Sequence, residues 1–241
     1  MANLLGDGGR ALLADLFRDP HLVFLAPLNE ELGESIRDWV LAYRRSGSVN
    51  GSPTYGVSMG KGIKGVTFVR ASSHRVAFGD LDEMDFGASS PFSVLVVTKQ
   101  VSINNIAAYV GKYNGTSGWV FAHDASGRPL LYIASNAGGG ALIGAHSNTA
   151  LVNGTTKMVG VSYSGSGVVS GITLYGSGVA EADTDDFSGA LGTVTNSHDV
   201  RIGATADSLN HLDATIAFVA VFNALKPAAD FRRWAFKAGL Q

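Results

Sequence analysis

Apolar residues along this chain gather in short runs separated by Gly, Ser, Asn and Asp. The longest such run is Asp213–Phe222, DATIAFVAVF, in which Ile216, Phe218, Val219, Val221 and Phe222 are nearly continuous. A run of this kind predicts a strand covered on both faces. A shorter strand, Asp199–Ala204, precedes it. Further strands are predicted at His21–Leu28, Tyr55–Met59, Gly65–Arg70, His74–Phe78, Phe92–Lys99, Asn105–Tyr113, Gly118–His123 and Pro129–Ser135. The pattern continues at Ala141–Ala145, Thr149–Val152, Thr156–Tyr163, Val168–Tyr175 and Gly178–Glu181. Pro27 near the end of the first strand suggests an edge or a bulge.

Turn chemistry fills the gaps. Asn114-Gly115 and Asn153-Gly154 are dipeptides that tolerate positive φ and mark hairpin turns. With Asn50-Gly51-Ser52 they also spell glycosylation acceptors, but the turn reading is preferred. Gly60-Lys61-Gly62-Ile63-Lys64-Gly65 has the letters of a dinucleotide fingerprint. A fingerprint must open a helix, and here the strand-like VTFVR follows, so the glycines predict a tight turn. Ser46–Pro53 and Ala182–Gly192 read as loops, and Asn136–Gly140 breaks the chain.

Helical spacing occurs near the two ends. Leu12, Leu13, Leu16 and Phe17 form one stripe in residues 1–20. Phe231, Trp234, Ala235 and Ala238 form another in Lys226–Gly239. The first stripe suits either packing on this chain's own strands or docking onto another subunit. Residues 29–45 fit a helical stripe through Leu32, Ile36, Trp39, Val40 and Tyr43 and equally fit an irregular loop. About a dozen short strands with helices only at the margins predict an all-β, two-sheet antiparallel sandwich rather than alternating βα units.

Composition narrows the classes. Of 241 residues 46% are apolar, enough for a sizeable core, and the 31 glycines fit a chain with many turns. The absence of cysteine removes disulfides and thiolate metal sites. A net charge of −2 leaves no electrostatic footprint for nucleic acid. No stretch approaches the roughly 20 apolar residues of a membrane span. The first residues lack the basic-then-apolar order of a secretory signal, so synthesis in a cytoplasm is expected.

Candidate chemistry is sparse. The six histidines show no metal-binding spacing, and no G-x-S-x-G elbow occurs. Asp80, Asp82 and Asp85 lie close in sequence but read as a solvated turn. Asp183, Asp185 and Asp186 offer the oxygen ligands that Ca²⁺ takes, with a plain solvated loop as the alternative. Tyr109, Tyr113, Trp119 and Tyr132 lie in central hairpins, where outward aromatics could stack on sugar rings. Trp119 is the first candidate, against the alternative of a core tryptophan.

The order of VFLAPLNE, GKGIKGVTFVRASSHRVAFGD, SSPFSVLVVTK, KMVGVSYSGSGVVSGITLYGSGVA and HLDATIAFVAVFNALKPAADF resembles the laminin-G-like jelly roll of the concanavalin A-like lectin/glucanase superfamily. The resemblance covers residues 22–225. It implies two antiparallel sheets face to face, with residues 1–21 as a helical arm and 226–241 as a closing helix. The family's acidic motif, E-x-D-x-x-E or a near relative, is missing, which ranks a glycoside hydrolase last. The resemblance implies a non-enzymatic protein on a virion or particle surface, as in phage head decoration or a tail. Its expected partners are other coat subunits, with itself as a homo-oligomer and Leu12, Leu13, Leu16 and Phe17 docking it. A carbohydrate-binding module recognising surface glycans is the alternative. No cofactor is required on either reading, with Ca²⁺ as the candidate ion.

Overall fold

The computed structural model describes residues 7–28, 35–40, 45–135 and 141–241. Its strands run β1 (Leu22–Pro27), β2 (Ser35–Arg37), β3 (Ser46–Asn50), β4 (Thr54–Gly60), β5 (Ile63–Phe68), β6 (Arg75–Asp80), β7 (Phe92–Gln100), β8 (Ala107–Tyr113) and β9 (Gly118–His123). They continue as β10 (Pro129–Ala134), β11 (Leu142–Ser147), β12 (Thr156–Tyr163), β13 (Ile172–Gly176), β14 (Val179–Ala180), β15 (Asp183–Ser188), β16 (Asp199–Ile202) and β17 (Ala214–Phe222). Helices α1 (Asp7–Leu16) and α2 (Ala228–Ala238) flank them. One sheet has the order β14-β13-β12-β7-β17-β5-β4, with β1 also on β17. The other has the order β15-β11-β10-β9-β8-β16-β6-β3-β2. All the strand pairings are antiparallel. This is the all-β, two-sheet sandwich of a jelly roll with two short helices.

The continuous apolar run of β17 has a simple cause. All nine of its residues are buried. Ile216, Val219 and Val221 enter the core between the sheets, while Ala217, Phe218, Ala220 and Phe222 enter a second core beneath the helices. Its neighbour on one edge is β7; the other edge is divided between β5 and β1. A strand covered by a sheet on one face and by helices on the other has no wet side, so its polar alternation disappears.

The helical stripes close that second core. Phe231 stacks on Tyr175 at 3.9 Å and Trp234 on Phe222 at 4.9 Å. Phe231 can lie flush on the sheet because Gly160 is beneath it, where a Cβ would come within 2.3 Å of the ring. Leu12, Leu13 and Leu16 are buried in the same cluster. Asp15 of α1 accepts from Arg233 and Lys237 of α2 at 2.7 and 2.6 Å, and Asp19 accepts from Lys226 at 2.6 Å. This corrects the docking expectation. Leu12, Leu13 and Leu16 cover this chain's own sheet and are unavailable to another subunit; Phe17 remains partly exposed against Trp39.

Two expected loops are strands. Residues 46–50 form β3, paired to β6 with Val49 opposite Val76. Its small residues are required, since a Cβ on Gly47 would approach Val76 to 2.4 Å. Within the acidic stretch 182–192, residues 183–188 form β15 on the edge of the larger sheet. Charged side chains are a common protection for an exposed sheet edge. Conversely, residues 149–152 form a turn region rather than a strand, and residues 168–171 are mostly a short 3₁₀ turn before β13. The Gly60–Ile63 turn is the tight hairpin expected, with Lys61 and Gly62 at φ 53° and 73°. Of residues 29–45, Ser35–Arg37 form β2. Residues 29–34 and 41–44, with Leu32 and Tyr43, lie outside the described residues, as does the break at 136–140.

Candidate functional site

Strand alternation, with a bulge in β8 at Ala108–Val110 that sets Tyr109 and Tyr113 on opposite sides, divides the predicted aromatics between the two faces of the larger sheet. Trp119 points inward. It is 1% exposed, packs on Phe86 and Phe92, and donates from its indole N–H to the Met84 carbonyl at 2.9 Å. Tyr109 is also fully buried, accepting from Gln100 at 2.9 Å, and its burial pushes the phenol pKa well up. Neither ring can meet a ligand on the surface. The sugar-stacking role expected of Trp119 and Tyr109 is corrected to a core role. A ring that fills the space between sheets gains far more by burial than it would at a wet face.

Tyr113 and Tyr132 point outward. On this face Ala108, Val120, Ala122 and Leu130 form a small apolar patch, and both tyrosines pack against it. Register explains the grouping, because Tyr132 is opposite Val120 and Gly144, while Leu130 is opposite Ala122 and His146. Gly144 makes room for the Tyr132 ring; a Cβ there would lie 2.2 Å from its Cδ1. Phe187 of β15 is opposite Gly144, is 46% exposed, and meets Tyr132 edge to face at 5.6 Å.

A polar pair borders these rings. His146 Nδ1 lies 2.6 Å from Asp186 Oδ1. The Tyr132 hydroxyl makes a longer contact of 3.4 Å to Asp186 Oδ2. Burial and the Asp186 charge push the Tyr132 pKa up to about 12, so the phenol keeps its proton at neutral pH. Asp186 can reach this face because β15 bulges between the residues paired to Gly144 and Ala145. Phe187, His146 and the bulge were not singled out from the sequence. Phe187 within an acidic run was the available signal, since an exposed aromatic among charges has no core to fill.

The acidic residues divide as well. Asp183 and Asp185 are exposed, and burial together with the Asp185 charge raises the Asp183 pKa. Asp186 turns to His146 instead. Among the described residues, the acidic group whose ligand oxygens do approach within 4.8 Å of one another is Asp80, Asp82 and Asp85. There the fully buried Lys112 supplies the positive charge, at 2.5 Å from Asp80 and 2.6 Å from Asp85. That group is a lysine clasp joining β8 to the end of β6.

No protein-family model matches the sequence, and no curated protein does. Solved structures do share the fold. The chain is similar to the binding domain of Paraclostridial Mosquitocidal Protein 1, with a TM-score of 0.66 and 11% identity over 91% of this chain and 52% of that one. It is similar to the botulinum neurotoxin serotype G binding domain, with a TM-score of 0.63 and 10% identity over 89% of this chain and 50% of that one. It is also similar to Trypanosoma rangeli sialidase in complex with sialic acid, with a TM-score of 0.59 and 10% identity over 93% of this chain and 34% of that one. The chain thus spans about half the length of the toxin binding domains it matches. At this identity the likeness shows a shared β-sandwich fold.

Proposed function

We propose that this chain is a non-enzymatic carbohydrate-binding module whose site is the outer face of the larger sheet around Tyr132, Phe187, His146 and Asp186. The observation that carries the reading is the accessible Phe187 ring against Tyr132, beside a carboxylate already oriented by an imidazole. Sugars need this combination, because ring faces take their C–H surfaces and fixed acceptors take their hydroxyls. The toxin binding domains of the same fold support a binding role, and the sialidase structure holds a sugar acid. Tyr113 borders the patch as a second ring. Display on a virion or coat is the alternative reading, and on it Leu12, Leu13 and Leu16 do not serve as the anchor, since they are covered within the chain.

The test is a glycan array followed by calorimetry on the strongest ligand, with Ca²⁺ and with chelator. Tyr132→Ala is expected to weaken binding by roughly fivefold, as the loss of one stacked ring worth about 1 kcal/mol. An unchanged affinity would place the site elsewhere. Ca²⁺ dependence that is lost in Asp183→Asn and kept in Asp82→Asn would assign the ion to the Asp183 and Asp185 stretch.

A further inference from the structure

A second chemistry occupies the same outer face several strands away. Arg201 of β16 is the register partner of Ala77 on β6, so Arg75, two residues along β6, shares its face. Arg75 is opposite Asn50 and donates to its Oδ1 at 3.3 Å and to the Ser73 carbonyl at 3.3 Å. The segment that returns from Gly203 to Leu212 closes beside them through the Leu212 amide on the Gly203 carbonyl at 3.0 Å, which brings in His211. Arg70 reaches the same place, donating to the His211 carbonyl at 2.9 Å and to Asn104 at 2.7 Å.

Three guanidinium groups and an imidazole are therefore neighbours at this end of the sheet. Burial, then Arg75, Arg201 and Arg70, hold the His211 pKa below its usual value. Of the carboxylates close by, Asp207 of the returning segment accepts from the Thr205 hydroxyl at 2.5 Å and from the Leu209 amide at 3.2 Å. Asp199 lies 3.3 Å from Arg201, and Asp213 accepts the Arg70 backbone amide at 2.8 Å. Arg70 and Arg75 pair with no carboxylate among the described residues; their side chains donate only to neutral oxygens. Arg70 Nη2 and Arg201 Nε are also buried with no partner, while the Ser208 backbone accepts from the His211 ring and partly offsets the arginines. A fold that gathers like charges and leaves their donors unmatched is complementary to an anion with several acceptor oxygens.

We propose that the Arg70–Arg75–Arg201–His211 notch is a binding site for an oxyanion of the carboxylate or sulfate type, whether free in solution or carried by an acidic sugar. The notch stands on its own geometry; only the acidic-sugar source rests on the glycan reading above. Three strand spacings separate β16 from β10, about 14 Å at roughly 4.8 Å each, so an oligosaccharide stacked on Tyr132 can reach it.

The test follows the His211 ring by NMR through pH titrations of the whole chain. Sodium sulfate is compared with sodium chloride at matched ionic strength, then a sulfated oligosaccharide with its unsulfated form. Sulfate is expected to raise the His211 pKa saturably, because a bound anion favours the imidazolium, and Arg75→Gln is expected to abolish the response. Tyr132→Ala should keep the sulfate response and lose any extra affinity of the oligosaccharide. No saturable change beyond chloride would overturn the site. A sulfate response with equal binding of sulfated and unsulfated sugars would overturn the acidic-sugar source and leave a free anion as the ligand. If Arg75→Gln fails to fold, Arg75→Lys decides by the same titration: a weakened sulfate response supports the site, because lysine keeps the charge and loses the guanidinium fork, and an undiminished response rejects it.

Discussion

Single residues on the larger sheet separate packing from binding. Trp119 fills the space between the sheets beside Phe86 and Phe92. Trp119→Ala is therefore expected to cost about 3–5 kcal/mol of stability by leaving a cavity, measured by urea unfolding. An intact midpoint with lost glycan affinity would return this residue to the surface. Gly144 offers the complementary experiment. An added methyl there would meet the Tyr132 ring, so the ring must move. Gly144→Ala is expected to reduce glycan binding as Tyr132→Ala does, at a stability cost of about 1–3 kcal/mol. Full affinity in calorimetry would show that the ring's position is irrelevant.

At the scale of elements, the contact between α1 and α2 depends on charge as well as on leucines. Burial raises the Asp15 pKa, but hydrogen bonds from Lys237 and Arg233 outweigh it and hold the carboxylate below its usual value. A lowered folded-state pKa contributes stability above the unfolded value near 3.9, and this is lost as pH falls through the folded value. Arg233 is half exposed, so solvent screens the pair and the effect is modest. Urea midpoints of the unaltered chain and of Asp15→Asn should differ at about pH 6 and converge as pH falls below about 4. A gap that persists in acid would remove the ion pair from the account. Edge strands make a related point. The charges of β15 leave its backbone pairing with β11 intact while discouraging a further strand.

For the whole molecule, the arrangement is helices over one sheet and that sheet over another, with separate apolar clusters at the two interfaces. Deleting residues 1–20 is expected to uncover the Leu25, Ala217 and Phe218 side of the smaller sheet. The product should unfold at a lower temperature and bind a hydrophobic dye. A deletion variant with an unchanged thermal midpoint would make the helix a detachable arm. The outer face of the larger sheet carries aromatic and acidic groups on β10, β11 and β15, and basic groups on β6 and β16. A ligand that lies across the strands would meet both.

The sequence by itself determined the sandwich, because period, turn residues and the burial of β17 are local properties that repeat along the chain. It also placed the Gly60–Ile63 turn and the two helical stripes, which need only glycine φ and 3.6-residue spacing. Which aromatic faces outward was decided by the tertiary structure. Trp119 and Tyr132 are register neighbours on adjacent strands, Trp119 opposite Ile133 and Tyr132 opposite Val120, and a shift of one position sends a side chain to the other face. Strand β15 was hidden because an edge strand needs backbone pairing more than apolar side chains, and β3, between β6 and the three-residue β2, because its residues are small and polar. The arginine notch joins residues 70, 75, 201 and 211, which only β-sheet register and the closing loop bring together. Local patterning sets the elements, whereas convergence of distant charges is a property of the packed chain.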